Sequence, residues 1–364
     1  MNQSLREYIF MNALFKKLKE VTKMQENWNS GHDDYNINST GSGKVYKSIF
    51  LYLGVIAIIV FAAFYYYENK DSGEKLTYKQ LKYGCPVYYF SDKELKHKVA
   101  YIQKGQGRFT LLFIHGIGNY LKYFNPQIKH LSKKYKCVAL DMPGYGKSSF
   151  YKHVKYSLDF HVASITNFIS GLKLKNVVLI GHSYGGMVAV ELAGKLKKII
   201  QRLILISPVG LKEISKRTIN IFSRMQNENR QLAVDDIRRA FKMFTFQNRG
   251  LTEKYLKENF ALIRSGDYQK TYITRTRVLL DILPKLTRFH WRFAYLDLPI
   301  LLISGDKDRV VPMFDFQNYG YKYFKTLEFK NSNAKVRFIK NCGHLSVIEA
   351  PDKVNEYIDE FLRK

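Results

Sequence analysis

The amino-acid sequence predicts an α/β fold in which a mostly parallel, eight-stranded sheet is covered by helices on both faces. The first observation is a set of eight short apolar runs after residue 75, each with the length and composition of a buried strand. The second is that helical stretches separate most of these runs, an alternation typical of parallel sheets. The third is a helical excursion without buried strands at 211–290.

The predicted elements divide the core into a first part at 76–210 and a second part at 291–364. Helices are expected around 125–134, 157–171, 184–198, 313–325 and 351–363. The predicted strands are PVYYF (86–90), KVAYIQ (98–103), TLLFIH (110–115), KCVALD (136–141), NVVLIG (176–181), RLILIS (202–207), PILLIS (299–304) and KVRFIK (335–340).

Residues 211–290 are predicted to form a helical cap. Aromatic and aliphatic residues recur here at helical spacing among many Arg and Lys residues. Because the excursion separates two core strands, we expect it to lie over the carboxyl ends of the strands, where parallel sheets bind ligands. A helical insertion that only packs against the core is the alternative interpretation.

Residues 1–47 are predicted to form an amphipathic helix followed by a polar linker. Apolar residues recur at three- and four-residue steps up to about residue 26, and Ser4 with Glu7 makes a capping box. The basic polar face suits a membrane interface, and a helix that packs against a partner or is weakly ordered is an equal alternative. A transit peptide is a third interpretation, which Glu7 and Glu20 weaken.

Residues 48–67 are predicted to form a single transmembrane anchor. The segment SIFLYLGVIAIIVFAAFYYY carries no charge over 20 residues and ends in three tyrosines that suit the membrane interface. Within 15 positions of it, two basic residues precede the anchor and four follow it. One such segment predicts a single-pass membrane protein. The excess of basic residues after the segment favours a cytosolic catalytic domain. A buried globular helix is the alternative.

The composition is strongly basic, with 59 Lys and Arg against 31 Asp and Glu and a net charge of +28. Such a charge suits an anionic membrane, acidic substrates or nucleic acid. The basic residues are scattered, and no helix-turn-helix, zinc-finger or RNP-like pattern occurs, so we expect no nucleic-acid partner. The chain has three cysteines, an odd and small number that does not predict a disulfide framework. Neither CxxC nor HExxH spacing occurs, so the sequence predicts no metal site.

The stretch GHSYGG at 181–186 predicts a serine nucleophile. It follows a predicted buried strand and precedes a predicted helix, which is the context in which a G-x-S-x-G turn exposes its serine. Gly181 and Gly185 lack the side chains that would clash in so sharp a turn. We therefore expect Ser183 to project its hydroxyl from the edge of the sheet.

A serine nucleophile needs a base and an acid that orients the base. His344 follows the last predicted strand, and Asp306 and Asp308 follow the strand before it. The order serine, aspartate, histidine is that of folds with such a turn. Of the other histidines, His182 is expected to be a packing neighbour in the turn. We predict surface positions for His97, His130 and His153.

An oxyanion also needs hydrogen-bond donors that are already in place. The amide of Tyr184 is one expected donor, because it begins the helix after the nucleophile and helix N-termini favour negative charge. The amide of Ile117 is the second, in the loop HGIG at 115–118, where Gly116 allows a close approach.

Five motifs together resemble the successive landmarks of the alpha/beta-hydrolase superfamily over about 85–364. The spacing G-x-x-D-x-V of that family selects Asp308 as the acid and leaves Asp306 to shape the turn. The resemblance implies that neither a metal nor an organic cofactor is needed. The motifs are HGIG (115–118), DMPGYGKS (141–148), GHSYGG (181–186), SGDKDRVVP (304–312) and CGHLSVIEAP (342–351).

Within the superfamily, the chain looks like the membrane-bound monoacylglycerol lipases. The predicted anchor, the cap and SPVGLKEIS at 207–215 carry this similarity. The serine at 183 argues against the epoxide hydrolases and haloalkane dehalogenases, which use an aspartate there. Related lipid acyltransferases carry H-x-x-x-x-D, whereas His344 is followed at that distance by Glu349, which argues against transferase activity.

We therefore predict a membrane-anchored serine hydrolase that cleaves carboxylic esters, with lipid esters such as monoacylglycerol or lysophospholipid as its substrates. Ser183 attacks, His344 transfers the proton, Asp308 orients the histidine, and the amides of Ile117 and Tyr184 bind the oxyanion. Two alternatives come from other classes. One is a hydrolase of a small soluble metabolite, such as a carbon–carbon hydrolase, thioesterase or peptidase, and the other is a non-catalytic lipid-binding scaffold.

Overall fold

The computed structural model describes residues 74–211, 220, 226–246, 251–286, 290–310 and 331–363. The predicted N-terminal helix, the predicted anchor at 48–67 and the predicted helix at 313–325 lie outside the described residues and stay predictions. No helix within the described ranges has the length and apolar character needed to cross a membrane.

Eight strands form one sheet in the order β1-β2-β4-β3-β5-β6-β7-β8. Strand β2 runs antiparallel to both of its neighbours, and all pairings from β4 to β8 are parallel. The eight predicted strands and the mostly parallel sheet are therefore confirmed. The strands are β1 Tyr88–Asp92, β2 His97–Lys104, β3 Thr110–Ile114, β4 Lys136–Leu140, β5 Val177–His182, β6 Ile200–Ile206, β7 Ile300–Gly305 and β8 Ala334–Ile339.

The central strands contain continuous apolar runs because both of their faces are buried. Along β3, Leu112 and Ile114 join one hydrophobic cluster, whereas Leu111 and Phe113 join the cluster on the opposite face. Successive side chains of a strand point to opposite faces, so a strand covered on both sides shows no polar alternation. The continuous apolar runs of the sequence have this cause.

Helices cover both faces of the sheet. Helices α2 (Leu158–Gly171) and α3 (Tyr184–Lys195) contribute to one hydrophobic cluster, and α1 (Asn125–Leu131) and α9 (Pro351–Leu362) contribute to the other. Ser157 caps α2, since its Oγ accepts a hydrogen bond from the amide of Phe160 at 3.1 Å. The sequence did not predict two short elements, a 3-10 helix at Leu121–Phe124 and α8 at Ser346–Glu349.

The excursion between β6 and β7 contains α4 (Val234–Phe244), α5 (Leu251–Arg264), α6 (Tyr268–Lys285) and α7 (His290–Ala294). Helix α6 crosses the loops that leave β3 and β4. Its Tyr268 hydroxyl donates to the carbonyl of Gly118 at 2.9 Å, and its Thr274 hydroxyl donates to the carbonyl of Gly144 at 3.1 Å. Helices α4, α5 and α6 therefore lie over the carboxyl ends of the strands, and we call them the cap. Helix α7 instead contacts Asn331, just before β8.

Candidate active site

The predicted site residues all lie at the carboxyl edge of the sheet, in loops or, for Tyr184, at the start of a helix. Ser183 follows β5, Asp308 follows β7, His344 follows β8 and the loop with Ile117 follows β3. Because these strands are parallel, their carboxyl ends lie along one edge. Side chains separated by up to 227 positions in the chain can therefore meet there.

The turn at Ser183 is strained, as the G-x-S-x-G pattern predicts. Ser183 has φ of 55° and ψ of −120°, a region that L-residues rarely adopt. A Cβ on Gly181 would lie 2.4 Å from the carbonyl oxygen of Gly185, and one on Gly185 would lie 2.2 Å from that of Ile114. Only glycines fit at these two positions, and they allow the strand to turn directly into α3.

Ser183, His344 and Asp308 form a continuous chain of hydrogen bonds. The Oγ of Ser183 lies 2.9 Å from Nε2 of His344, and Nδ1 of His344 lies 2.9 Å from Oδ2 of Asp308. All three residues are buried. A carboxylate can only accept, so Nδ1 carries the proton and Nε2 is free to accept one from the serine. The side chains thus have the geometry of an activated serine nucleophile.

The structure distinguishes Asp308 from Asp306. The second oxygen of Asp308, Oδ1, accepts a hydrogen bond from the amide of Val310 at 2.8 Å, which holds the carboxylate toward His344. Asp306 instead accepts from the amide of Cys342 at 3.4 Å. Asp306 therefore connects the loops after β7 and β8, and Asp308 contacts the histidine.

The loop after β3 lies directly against the nucleophile. A Cβ on Gly116 would lie 2.9 Å from Nδ1 of His182 and 3.0 Å from Cβ of Ser183, so only glycine allows this approach. Tyr184 is the first residue of α3. The first hydrogen bond at this end of the helix runs from the amide of Gly186 to the carbonyl of Ser183. Ile117, next to Gly116, and Tyr184, next to Ser183, therefore lie close to the nucleophile, and oxyanion binding by their amides stays a prediction.

His182 has a role in the site that the sequence did not predict. Its Nε2 donates to the carbonyl oxygen of His344 at 2.9 Å, and the two rings lie 5.1 Å apart. Burial lowers the pKa of His182 to about 3, so the ring is neutral and donates from Nε2 only. His182 therefore fixes the backbone that carries the catalytic imidazole.

The cap also contacts the histidine loop directly. The amide of His344 donates to the carbonyl of Phe244 at 2.7 Å, and the side chain of Glu349 accepts from the amides of Gly343 and Phe246. The sequence signal for Glu349 is its place five residues after His344, but nothing local in the sequence indicates a partner 103 residues away.

Other titratable clusters in the described part of the chain do not form a second catalytic site. The surface prediction is wrong for His97, which is buried because β2 lies inside the sheet, and its Nε2 lies 2.8 Å from Ser164 Oγ and 3.9 Å from Asp92 Oδ2. One nitrogen faces both partners, so this imidazole cannot relay a proton between them. No group of three His, Cys, Asp or Glu residues within the described ranges could hold a metal ion.

Buried histidines around the site make stability depend on pH. Burial lowers the pKa of His115 and His182 to about 3 and that of His161 to about 4, from an ordinary value of 6.5. Each contributes stability that is present above pH 6.5 and lost as the pH falls, because the unfolded chain then binds the proton first. Burial raises the pKa of Asp141 to about 6. The folded chain therefore binds this proton before the unfolded chain does, and the contribution of Asp141 to stability increases as the pH falls.

We expect the free energy of unfolding to fall between pH 7 and pH 5. Each of the three histidines contributes a loss of about 2 kcal/mol, and Asp141 offsets roughly 1 kcal/mol of the total. Urea denaturation of the full chain in detergent at the two pH values measures this difference. His161→Gln should reduce the difference by about 2 kcal/mol, whereas His153→Gln, at an exposed position, should leave it unchanged. Equal stability at both pH values would contradict the expectation.

Comparison with known proteins finds relatives that match most of the chain. The chain is 24% identical over 358 residues to epoxide hydrolase 1 of Caenorhabditis elegans, covering 89% of this chain and 85% of that protein. It is 27% identical over 264 residues to a candidate esterase/lipase 2 of Mycoplasma pneumoniae, covering 70% and 89%.

Among solved structures, a bacterial membrane phospholipase A superposes with a TM-score of 0.64 at 21% identity, covering 88% of this chain and 98% of that one. This likeness shows the fold. Residues 110–351, which include Ser183, Asp308 and His344, match the family described as the alpha/beta hydrolase fold. The chain therefore belongs to the alpha/beta hydrolase fold family, with the serine, histidine and aspartate of a serine hydrolase in hydrogen-bond contact.

Proposed function

We propose that this protein is a serine hydrolase that cleaves carboxylic esters of lipids, such as monoacylglycerol or lysophospholipid. The observation that carries the proposal is the hydrogen-bonded chain from Ser183 through His344 to Asp308, beside a loop that can approach the nucleophile because of Gly116. No other arrangement in the described residues joins a strained serine to a base that is itself oriented by a carboxylate.

The geometry supports a two-step acyl-enzyme reaction. Oγ of Ser183 attacks the ester carbonyl carbon while its proton moves to Nε2 of His344, and the amides of Ile117 and Tyr184 bind the oxyanion. When the tetrahedral intermediate collapses, the ester C–O bond breaks and His344 returns the proton to the leaving alcohol. Water then attacks the acyl-enzyme by the same proton transfers and releases the acid.

Two observations and one prediction support a lipid substrate. The cap buries apolar and aromatic side chains against the core, including Val234, Phe241 and Phe260. The sequence predicts an anchor at 48–67 and hence a single-pass membrane protein, whose catalytic domain we propose to be cytosolic. The solved structure and one relative described above are a membrane phospholipase A and a candidate esterase/lipase.

A panel of p-nitrophenyl esters with acyl chains of increasing length tests the proposal. We expect kcat/KM to rise by about 10-fold or more from the acetyl to the medium-chain ester, because each buried methylene contributes about 0.8 kcal/mol. Monoacylglycerol and lysophospholipid in mixed micelles should then be hydrolysed, and Ser183→Ala is the matched control.

Two outcomes would overturn parts of the proposal. A preference for the shortest esters would indicate a hydrolase of a small soluble metabolite. No labelling of the wild type by a fluorophosphonate, which reacts with activated serines, would indicate a non-catalytic scaffold.

A further inference from the structure

The C-terminal end of cap helix α4 contacts the loop that carries His344, which we call the histidine loop. The carbonyl of Phe244, the last residue of α4, accepts hydrogen bonds from the amides of His344 at 2.7 Å and Leu345 at 3.3 Å. The ring of Phe244 lies 5.9 Å from the imidazole. The cap thus supplies backbone contacts to the histidine loop as well as covering the site.

Glu349 connects the same two segments through its carboxylate. Oε1 accepts from the amide of Gly343 at 3.0 Å, on the histidine loop, and Oε2 accepts from the amide of Phe246 at 2.8 Å, in the turn that leaves α4. A carboxylate that accepts backbone hydrogen bonds on both oxygens makes stronger bonds than a neutral side chain would. Glu349 is half-buried at the end of α8, so these bonds are partly shielded from water.

Gly343 shows how closely the two segments approach. A Cβ at this position would lie 2.7 Å from the amide nitrogen of Phe246, 2.8 Å from the carbonyl oxygen of Phe244 and 2.8 Å from Oε1 of Glu349. We call residues 245–246, which follow α4, the cap turn. Gly343, the residue before His344, therefore lies in contact with both the cap turn and the carboxylate of Glu349. Moving the cap turn away breaks a hydrogen bond of His344 and one of Glu349 together.

We propose that Glu349 is a positioning residue that couples the seating of the cap to the placement of His344. His182 holds the carbonyl side of His344 from the core, whereas Phe244 and Glu349 hold its amide side through the cap. The imidazole reaches Ser183 in the correct geometry only while the end of α4 and the cap turn stay hydrogen-bonded to the histidine loop and to Glu349. This inference rests on the proposed hydrolase function for its kinetic consequence, because the coupling matters only if His344 is the base.

Kinetics of Glu349 variants test the coupling. We expect Glu349→Ala to reduce kcat for a p-nitrophenyl ester, and the rate of fluorophosphonate labelling of Ser183, by about 10- to 100-fold, because misplacing a catalytic group by about 1 Å has this effect. KM should change by less than about 3-fold, since Glu349 binds the backbone of the histidine loop and of the turn after α4.

Two further variants and a control sharpen the kinetic test. Glu349→Gln keeps the size but only one accepting oxygen, so a smaller loss of about 3- to 10-fold is expected. Gly343→Ala should reproduce the kcat loss from the other side of the contact. Glu356→Gln, which removes an exposed carboxylate paired with Lys353 on α9, should stay within about 2-fold of the wild type. Wild-type kcat and labelling rate in Glu349→Ala would overturn the proposal.

Hydrogen–deuterium exchange separates coupling from a local structural role and does not depend on activity. In Glu349→Gln, we expect faster exchange in both 241–246 and 342–349. Faster exchange confined to 342–349 would overturn the proposal, because Glu349 would then support only its own loop. If the wild type neither hydrolyses esters nor reacts with fluorophosphonate, the proposed function fails, and the exchange pattern still decides whether the cap and the loop are coupled.

Discussion

Ser183→Ala is expected to reduce ester hydrolysis by at least about 10⁴-fold and to abolish labelling by a fluorophosphonate, because removal of the nucleophile leaves only oxyanion binding and proximity. The backbone of the turn already holds residue 183 at φ of 55°, and alanine lacks only the hydroxyl. The loss should therefore be chemical, with the fold retained. Hydrolysis of a p-nitrophenyl ester and in-gel detection of the probe measure it.

Ser164→Ala is the matched control for the nucleophile. Ser164 is as buried as Ser183 and also contacts a histidine, at 2.8 Å. That histidine, His97, has no carboxylate on its other ring nitrogen, since Nδ1 faces the carbonyl of Leu95. We expect the kinetics of Ser164→Ala to match the wild type. Equal labelling of Ser183→Ala and the wild type would contradict the assignment of the nucleophile.

Asp308→Asn is expected to lower kcat by about 10³- to 10⁴-fold. The amide of asparagine can donate to Nδ1 of His344, which moves the ring proton to Nε2 and removes the acceptor for the serine proton. Asp308 is 7% exposed, so no water can easily take over its role. The effect should appear in kcat and in the labelling rate, with little change in KM.

Asp306→Asn provides the comparison for this prediction, because the two aspartates are two residues apart and only one contacts the imidazole. Asp306 accepts a long hydrogen bond from the amide of Cys342, and the side-chain oxygen of asparagine can accept it as well. We expect a loss of less than about 10-fold. Full activity in Asp308→Asn together with a large loss in Asp306→Asn would reverse the assignment.

Much of the fold could be predicted because its signals are local. A strand buried on both faces requires a continuous apolar run, and the runs at 110–115 and 176–181 correspond to β3 and β5 within a residue at each end. The strained turn requires glycine at 181 and 185, because any Cβ there would collide with a carbonyl oxygen. Such requirements act on single positions and their neighbours, so they are visible in the sequence.

The environment of individual histidines could not be predicted in this way. His97 lies between charged residues in the sequence, yet it is buried beside Ser164, because β2 pairs with strands on both sides. His182 looks like a packing neighbour of the nucleophile, yet it donates to the backbone of a residue 162 positions away. These contacts depend on the order of strands in the sheet, which local periodicity does not specify.

The sequence by itself determined the strands, the alternation with helices, the nucleophile turn and the set of residues that can form the site. The family resemblance already selected Asp308 over Asp306, and the tertiary structure shows the contact of Asp308 with His344. Only the tertiary structure decided that Phe244 and Glu349 join the cap to the histidine loop. The physical reason is that a carboxylate and a backbone amide act over about 3 Å. Whether two groups come that close is set by how distant segments pack, and residue type alone does not encode it.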